Sequence, residues 1–322
     1  MLFRQIIAFV ALAFSTSIAA AQEYPARVVK IIVPFSAGGG LDVFTRRLAA
    51  DLTAKWGRAV IIENRLGAGG NLGAEAAAKS PPDGYTLLSS VNTAFTANRY
   101  LYKSLPYDPQ HSFAPITLMV QIDQFLLAHP SVPAMDLREL VAAARREPGK
   151  LSYGSWGSGS QPQLVYEMLN KKEGIDLLHV PYKGVAPVLT AVISGEVLLT
   201  VGSSGVAGAL LNAGRLKALA IAAKRRSPQF PGVPTTAELG YPYVQSSIWF
   251  GLFAPAGTPP AIVEKIGADV RAILSTPAYA ERQGTSAGMD VVASTPEDLA
   301  ARIREETTSV GEMIRAAGIQ AE

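Results

Sequence analysis

One pattern constrains this chain more than any other: a β-branched run, a turn rich in Gly and Ser, then a helical stripe, repeated along the sequence. Val28-Val29-Lys30-Ile31-Ile32-Val33 ends at Pro34, Phe35 to Gly40 forms a turn, and Leu41, Phe44, Leu48 and Leu52 recur at helical spacing. Val60 to Asn64 and Tyr85 to Val91 repeat the strand signal, with an Ala-rich helix at about Leu72 to Lys79 and a turn at Pro81-Pro82-Asp83-Gly84 between them. Ile116 to His129 is a long extended stretch able to carry the chain from one domain to another. Helices follow at Leu137 to Glu147, Gln161 to Lys172, Ala186 to Ser194 and Val206 to Ala213. Strands at Leu151 to Ser155, Leu177 to Tyr182, Val197 to Gly202 and Leu216 to Ala223 alternate with them. A strand at Ile248 to Phe253, a helix striped by Ile262, Ile266, Val270 and Ile273, and a last helix with Thr295 as N-cap and Pro296 at its first position complete the series. The alternation predicts an α/β fold.

With 322 residues the chain is long enough for two domains with separate cores. The segmentation predicts a first lobe of residues 22–123 plus 245–322 and an inserted second lobe, 124–244. Two interdomain crossings leave a cleft between the lobes, and in open α/β sheets ligands bind beyond the carboxyl ends of the strands. Apolar residues at 48% and charged residues at 17% exclude wholesale disorder. A formal charge of +3 without a basic run gives no electrostatic case for nucleic acid.

Residues 1–21 differ from the rest. Arg4 precedes a mostly apolar segment from Ile6 to Ile18, and Ala19-Ala20-Ala21 offers small residues for cleavage before Gln22. Ser15, Thr16 and Ser17 interrupt the stretch, so a secretory signal fits better than a membrane anchor. The mature protein is expected outside the cytoplasm. Its stability there rests on packing, since the chain has no cysteine.

Enzyme chemistry has few footholds. Asp42 and Glu63 follow early strands, but neither has a histidine, second acid or metal ligand at a diagnostic spacing. His111, His129 and His179 form no metal motif. Tyr153-Gly154-Ser155-Trp156-Gly157 approaches a nucleophile elbow, yet its first glycine is Tyr153 and only His179 follows as a base. Gly67 to Gly73 fails the dinucleotide fingerprint at Leu72. No cofactor or metal is expected. What recurs is the Gly/Ser turn before a helix, at Phe35 to Gly40, Ser155 to Ser160 and Gly202 to Gly205. Glycine lets backbone approach a ligand, and a helix N-terminus supplies free N–H donors with partial positive charge, a chemistry suited to a carboxylate.

Tyr24-Pro25, Ile32 to Gly40 with Asp42, and Glu63-Asn64-Arg65 with Gly67 to Gly70 together resemble the Bug family, periplasmic solute receptors of tripartite tricarboxylate transporters. Pro82 to Leu87, Leu105 to Pro109, Phe113 to Pro115, His179 to Gly184, Pro234 to Glu238 and Ala254 to Pro259 extend the resemblance over the mature chain. It implies a two-lobed periplasmic binding protein, a type II-like clamshell that is not an enzyme. The loops at Phe35 to Gly39 and Ser155 to Ser160 would grip a ligand carboxylate through backbone donors and ordered water. The candidate binding set is Phe35, Ser36, Ala37, Gly38, Gly39, Asp42, Asn92, Ser155, Trp156, Gly157, Ser158, Gly159, Ser160, Tyr182, Gly184 and Ser203. Trp156 stands where the family often has proline, Gln163 near a frequent histidine, and Leu198 where an acid is common. Trp156 and Leu198 point to an aromatic or otherwise apolar-bodied carboxylate. The expected partners are that ligand and the membrane subunits of a transporter, with the receptor a monomer. The rival readings are a sensory receptor presenting its ligand to a membrane kinase, and a secreted hydrolase using Ser155 and His179.

Overall fold

A computed structural model of the chain describes residues 24–157, 159–279 and 288–321. The expected leader 1–21 and the candidate Ser158 lie outside the described residues. Strands β1 Val29–Val33, β2 Val60–Asn64 and β3 Thr86–Val91 run parallel, and helices α1 Gly40–Trp56, α2 Asn71–Ala78 and α3 Thr93–Thr96 follow them in turn. Short helix α4, Asn98–Leu101, leads toward β4, Phe113–Ala128. Helix α5 Leu137–Arg146, β5 Ser152–Ser155, α6 Gln161–Glu173, β6 Leu178–Pro181, α7 Val185–Ser194, β7 Leu199–Ser203, α8 Ser204–Asn212 and β8 Lys217–Ile221 build the second lobe. The chain returns through β9 Ser247–Pro255, α9 Pro260–Leu274, β10 Asp290–Val291 and α10 Pro296–Ala316.

The sheet order is β2-β1-β3-β9-β4-β7-β5-β6, with β8 and β10 also on β4. Strand β4 is the spine of the molecule. Its residues Phe113 to Asp123 pair antiparallel with β9, and from Gln124 onward it pairs with β7 and then β8. One 16-residue strand therefore belongs to both halves of the sheet, and its partners change between Asp123 and Gln124.

Each half is packed on both faces. Along β9, Phe250, Leu252 and Ala254 join Leu48, Leu52, Ile266 and Val270 of α1 and α9, whereas Trp249 and Phe253 join Phe95 and Leu299 of α3 and α10. That split is the period-two alternation of a strand covered on both sides. In the second lobe, Leu140, Tyr166 and Leu199 form one core, and Phe125, Val188, Val192 and Ala207 the other. A smaller cluster bridges the halves, because Val310, Met313 and Ile314 of α10 pack on Leu164 and Met168 of α6. Fully burying a side chain of this kind contributes roughly 1.5–3 kcal/mol, so α10 ties one lobe to the other.

Register decides where the strand ends lie. Val91 of β3 opposes Phe250, and Ser203 of β7 opposes Gln124. The carboxyl ends of β1 and β3 from one lobe and of β5 and β7 from the other thus face the line where β4 changes partners, and the cleft lies there.

Candidate functional site

The β1–α1 turn is held from beneath. Asp42 is buried in the first turn of α1, and its carboxylate accepts from Gly38 N–H (2.9 Å), Arg46 Nε (2.9 Å) and Asn64 Nδ2 (2.8 Å). Asn64 also donates to the Phe35 carbonyl at 2.9 Å, and Arg46 Nη2 donates to Asn64 Oδ1 at 2.8 Å. Burial pushes the Asp42 carboxyl upward, but the hydrogen bonds from Arg46, Asn64 and Gly38 outweigh it and hold the group below the usual carboxylate range. Three side chains thereby clamp both ends of the turn, while Ser36, Ala37, Gly38 and Gly39 stay exposed. Gly38 sits at φ +82°, a conformation that glycine adopts without strain. Asp42 and Glu63 form no acid/base pair, since Glu63 is held by Lys30 and Arg65.

The β5–α6 turn is pinned from its own lobe. Ser155, fully buried, shares a 2.6 Å hydrogen bond with His179 Nε2, and Tyr182 N–H donates to the Ser155 carbonyl at 2.8 Å. The His179 ring stacks on Tyr153 at 4.9 Å, and burial lowers its pKa against the pull of Glu167. The hydrolase alternative correctly pairs these two residues, but Ser155 has no exposed surface and Glu167 is hydrogen-bonded to Tyr153 rather than to His179. Gln163 Oε1 accepts from Gly159 N–H at 2.9 Å, and Ser160 Oγ donates to the Gly157 carbonyl at 2.6 Å. Gly159 is at φ +71°, and a Cβ there would lie 2.8 Å from Leu101 Cδ2, so this turn abuts α4 of the first lobe.

The two lobes also approach at α8. A Cβ on Gly288 would collide with Ser204 Oγ, and one on Gly40 would lie 4.0 Å from Met289 Cε. Two consecutive residues thus span from the start of α1 to the start of α8. Asp290 and Arg225 add an exposed ion pair nearby at 3.5 Å.

Helix capping differs between the cleft and the rest of the molecule. Helices α1, α2, α3, α6, α7 and α8 all begin at the carboxyl end of a strand, and none has a side-chain cap. Helices α5 and α10 follow the ends of β4 and β10 that lie away from the cleft, and are capped by Asp136 and Thr295. Helix α9 follows the end of β9 away from the cleft and opens on Pro260, which has no N–H to satisfy, while the short α4, which starts directly after α3, is uncapped as well. Longer helices without a side-chain cap are therefore grouped where the strand ends converge.

The remaining candidates divide. Ser203 is buried at the start of α8, and Gly184 precedes α7. Tyr182 donates its hydroxyl to Glu196 (2.8 Å), and Trp156 is half-buried against the Phe125, Val188 and Val197 cluster of its own lobe. Asn92 is buried and donates to the Ser247 carbonyl (3.1 Å) and Glu306 Oε1 (2.7 Å). Leu198 lies elsewhere: its carbonyl binds His129 N–H at the end of β7 opposite Ser203, and its side chain packs on the lobe core. It says nothing about the ligand, because a residue at the amino end of a parallel strand faces away from the cleft. Missing from the candidate set were Asn64, Arg46, Gln161, which donates to the Ser247 carbonyl at 3.2 Å, and Arg302, which donates to Ser247 Oγ at 3.0 Å. Arg46 was signalled by its i, i+4 spacing from Asp42, but the others act across the fold. Among the described residues no three His, Cys, Asp or Glu side chains cluster as metal ligands.

Comparison with known proteins agrees with this architecture. BugT of Bordetella pertussis is 34% identical over 96% of this chain and 95% of its own length. An R. palustris protein solved with adipate superposes with a TM-score of 0.77 at 32% identity, covering 93% of this chain and 100% of its own. MatC from Rhodopseudomonas palustris, solved with bound malate, gives 0.72 at 34% identity, covering 90% and 100%. A family model described as "Tripartite tricarboxylate transporter family receptor" matches residues 44–319. The two-lobed chain, a solute-binding receptor rather than an enzyme, belongs to the tripartite tricarboxylate transporter receptor family.

Proposed function

We propose that this receptor captures a small organic carboxylate in the cleft, closes around it and delivers it to the membrane subunits of a tripartite transporter. The observation that carries this reading is the set of uncapped helix N-termini at the cleft, drawn from both lobes. An anion between α1 and α8 would be held by backbone N–H groups and helix dipoles rather than by a buried arginine, so release need not break a strong ion pair. A ligand touching both lobes favours closure by its differential affinity for the closed form. The adipate and malate held by the two relatives support the ligand class. The lobes are taken as residues 22–123 plus 245–322 and residues 124–244, a division supported by the change of β4 partners after Asp123. Work as a monomer in the periplasm, after removal of residues 1–21, completes the proposal.

A thermal-shift screen of carboxylates against neutral isosteres tests it. Ligand at about 100 times its Kd adds about 2.7 kcal/mol of stability, and only carboxylates should do so. A hit set of sugars or cations alone would overturn the proposal.

A further inference from the structure

Both strands that cross between the lobes change partners on one line. Asp123 of β4 opposes Ser247 of β9, whereas Gln124, the next residue, opposes Ser203, and its carbonyl accepts from Ala222 N–H at 2.8 Å. On the returning chain, Ser246 N–H donates to the Ala222 carbonyl of the second lobe at 3.4 Å. Ser247 is thus the residue at which the returning chain joins the sheet of the first lobe, and the line through Asp123 and Ser247 is the hinge between the lobes.

Ser247 is held from both sides of that line. From the first lobe, Asn92 Nδ2 at the end of β3 donates to its carbonyl (3.1 Å), and Arg302 Nη2 of α10 donates to its Oγ (3.0 Å). From the second lobe, Gln161 Nε2 donates to the same carbonyl at 3.2 Å. Gln161 is the first residue of α6 and directly follows the Ser155 to Ser160 turn. That turn is braced internally by the Gly159 N–H bond to Gln163 and the Ser160 hydroxyl bond to the Gly157 carbonyl, so a shift of the turn carries Gln161 with it. A cavity of about 70 Å³ where α3, α6, α10 and the start of β9 meet borders Asn92, Gln161, Ser246, Ser247 and Arg302, and it leaves the Gln161 amide room to withdraw. A bond already at 3.2 Å is lost with a small further separation. Gln161 makes this bond at a cost, because its Oε1 is buried without a partner.

We infer that Gln161 is a positioning residue for solute capture: it couples the β5–α6 turn to the hinge carbonyl of Ser247 and favours the arrangement of the lobes in which that turn abuts α4. The donor rides on the second lobe and the acceptor on the first. The strength of the bond therefore differs between arrangements of the lobes, and that difference sets how much of the chain is ready to bind. The inference rests on the receptor reading above and is independent of the chemistry of the solute.

The chain has no cysteine, so nitroxide labels can be placed cleanly at Leu66→Cys and Lys183→Cys, exposed positions that follow the outermost strands β2 and β6. Pulsed electron resonance on the full mature chain then reads the lobe separation without solute and with acetate, benzoate, succinate, glutarate and citrate, beside calorimetry and melting curves on the unlabelled chain. Gln161→Met should shift the solute-free separations to longer values and weaken the acids that the wild type binds by about three- to tenfold, the size of one net hydrogen bond. It should also melt at or above the wild-type temperature, since the unpaired oxygen leaves with the amide. Gln163→Met removes a bond inside the second lobe and should leave the separations as in the wild type. Unchanged separations in Gln161→Met, equal shifts in both variants, or a lowered melting temperature with unchanged affinity would overturn the coupling. A wild-type separation that none of the five acids shortens would overturn the carboxylate reading alone, and the solute-free comparison would still decide the coupling.

Discussion

Replacing Asp42 with asparagine separates two roles that a carboxylate at a helix start can have. If its charge mainly opposes a bound anion, Asp42→Asn should tighten ligand binding by about 0.3–1 kcal/mol, the usual size of a helix-terminus charge effect. If it positions the turn, binding should weaken and stability should fall. The geometry favours the second outcome. Gly38 N–H and Arg46 both meet Oδ2, whereas Asn64 Nδ2 meets Oδ1. An asparagine that keeps oxygen toward Gly38 and Arg46 turns its own N–H2 against Asn64. Asn64 cannot flip in response without losing its bonds to Phe35 and Arg46. One buried donor clash costs about 1–3 kcal/mol. The lost ion pair adds less than about 1 kcal/mol because Arg46 is half exposed. Together they predict a loss of about 1–4 kcal/mol in urea denaturation, with weaker ligand binding by calorimetry. Acid dependence follows from the lowered carboxyl pKa: the wild-type contribution is complete above the unfolded value of about 3.9 and is lost as pH falls through the folded value below it. Asp42→Asn should flatten that acid limb. A variant that binds more tightly and unfolds within about 0.5 kcal/mol of wild type, the range of an ordinary surface change, would refute the clamp.

Gly38→Val should cost about 1–2 kcal/mol through its left-handed backbone, since the site is otherwise open, and should weaken carboxylate binding; unchanged affinity would make the first turn structural only. His179, with its pKa lowered by burial, contributes stability that is full above about pH 6.5 and is lost as pH falls through the lower folded value. NMR titration of its ring, with His179→Gln as the comparison, checks this, and an imidazole that titrates at or above the ordinary value would contradict it. Trp156→Ala should lower affinity for aromatic carboxylates by about 0.5–1.5 kcal/mol beyond area burial. Calorimetry in which citrate or aspartate binds best, or in which the variant leaves aromatic affinity untouched, would remove Trp156 from ligand recognition.

Local order was legible in the sequence wherever its cause lies within a few residues. The β-branched run of β1 stops at Pro34, which lacks an N–H for the sheet ladder, and Thr295 with Pro296 opens α10 with the cap bond to Asp298 in place. Strand and helix signals of this kind determined the α/β class, and the order of short motifs carried the family resemblance. The Gly/Ser turns were visible for the same reason, because positive φ at Gly38 and Gly159 is a demand of the local backbone.

Sheet register decided what the sequence left open. Leu198 and Ser203 sit on the same short stretch, but antiparallel pairing with β4 sends Ser203 to the cleft and Leu198 to the far end. Ser155 and His179 pair because β5 and β6 run side by side with Tyr153 opposite His179. The cavity at β9 gathers Asn92, Gln161, Ser246 and Arg302 from four separate segments. Periodicity and capping act over one to four residues, and so the sequence by itself determined the elements and their class. Which strand ends meet depends on pairings between residues tens to hundreds of positions apart, and only the tertiary structure decided those, with the site that they create.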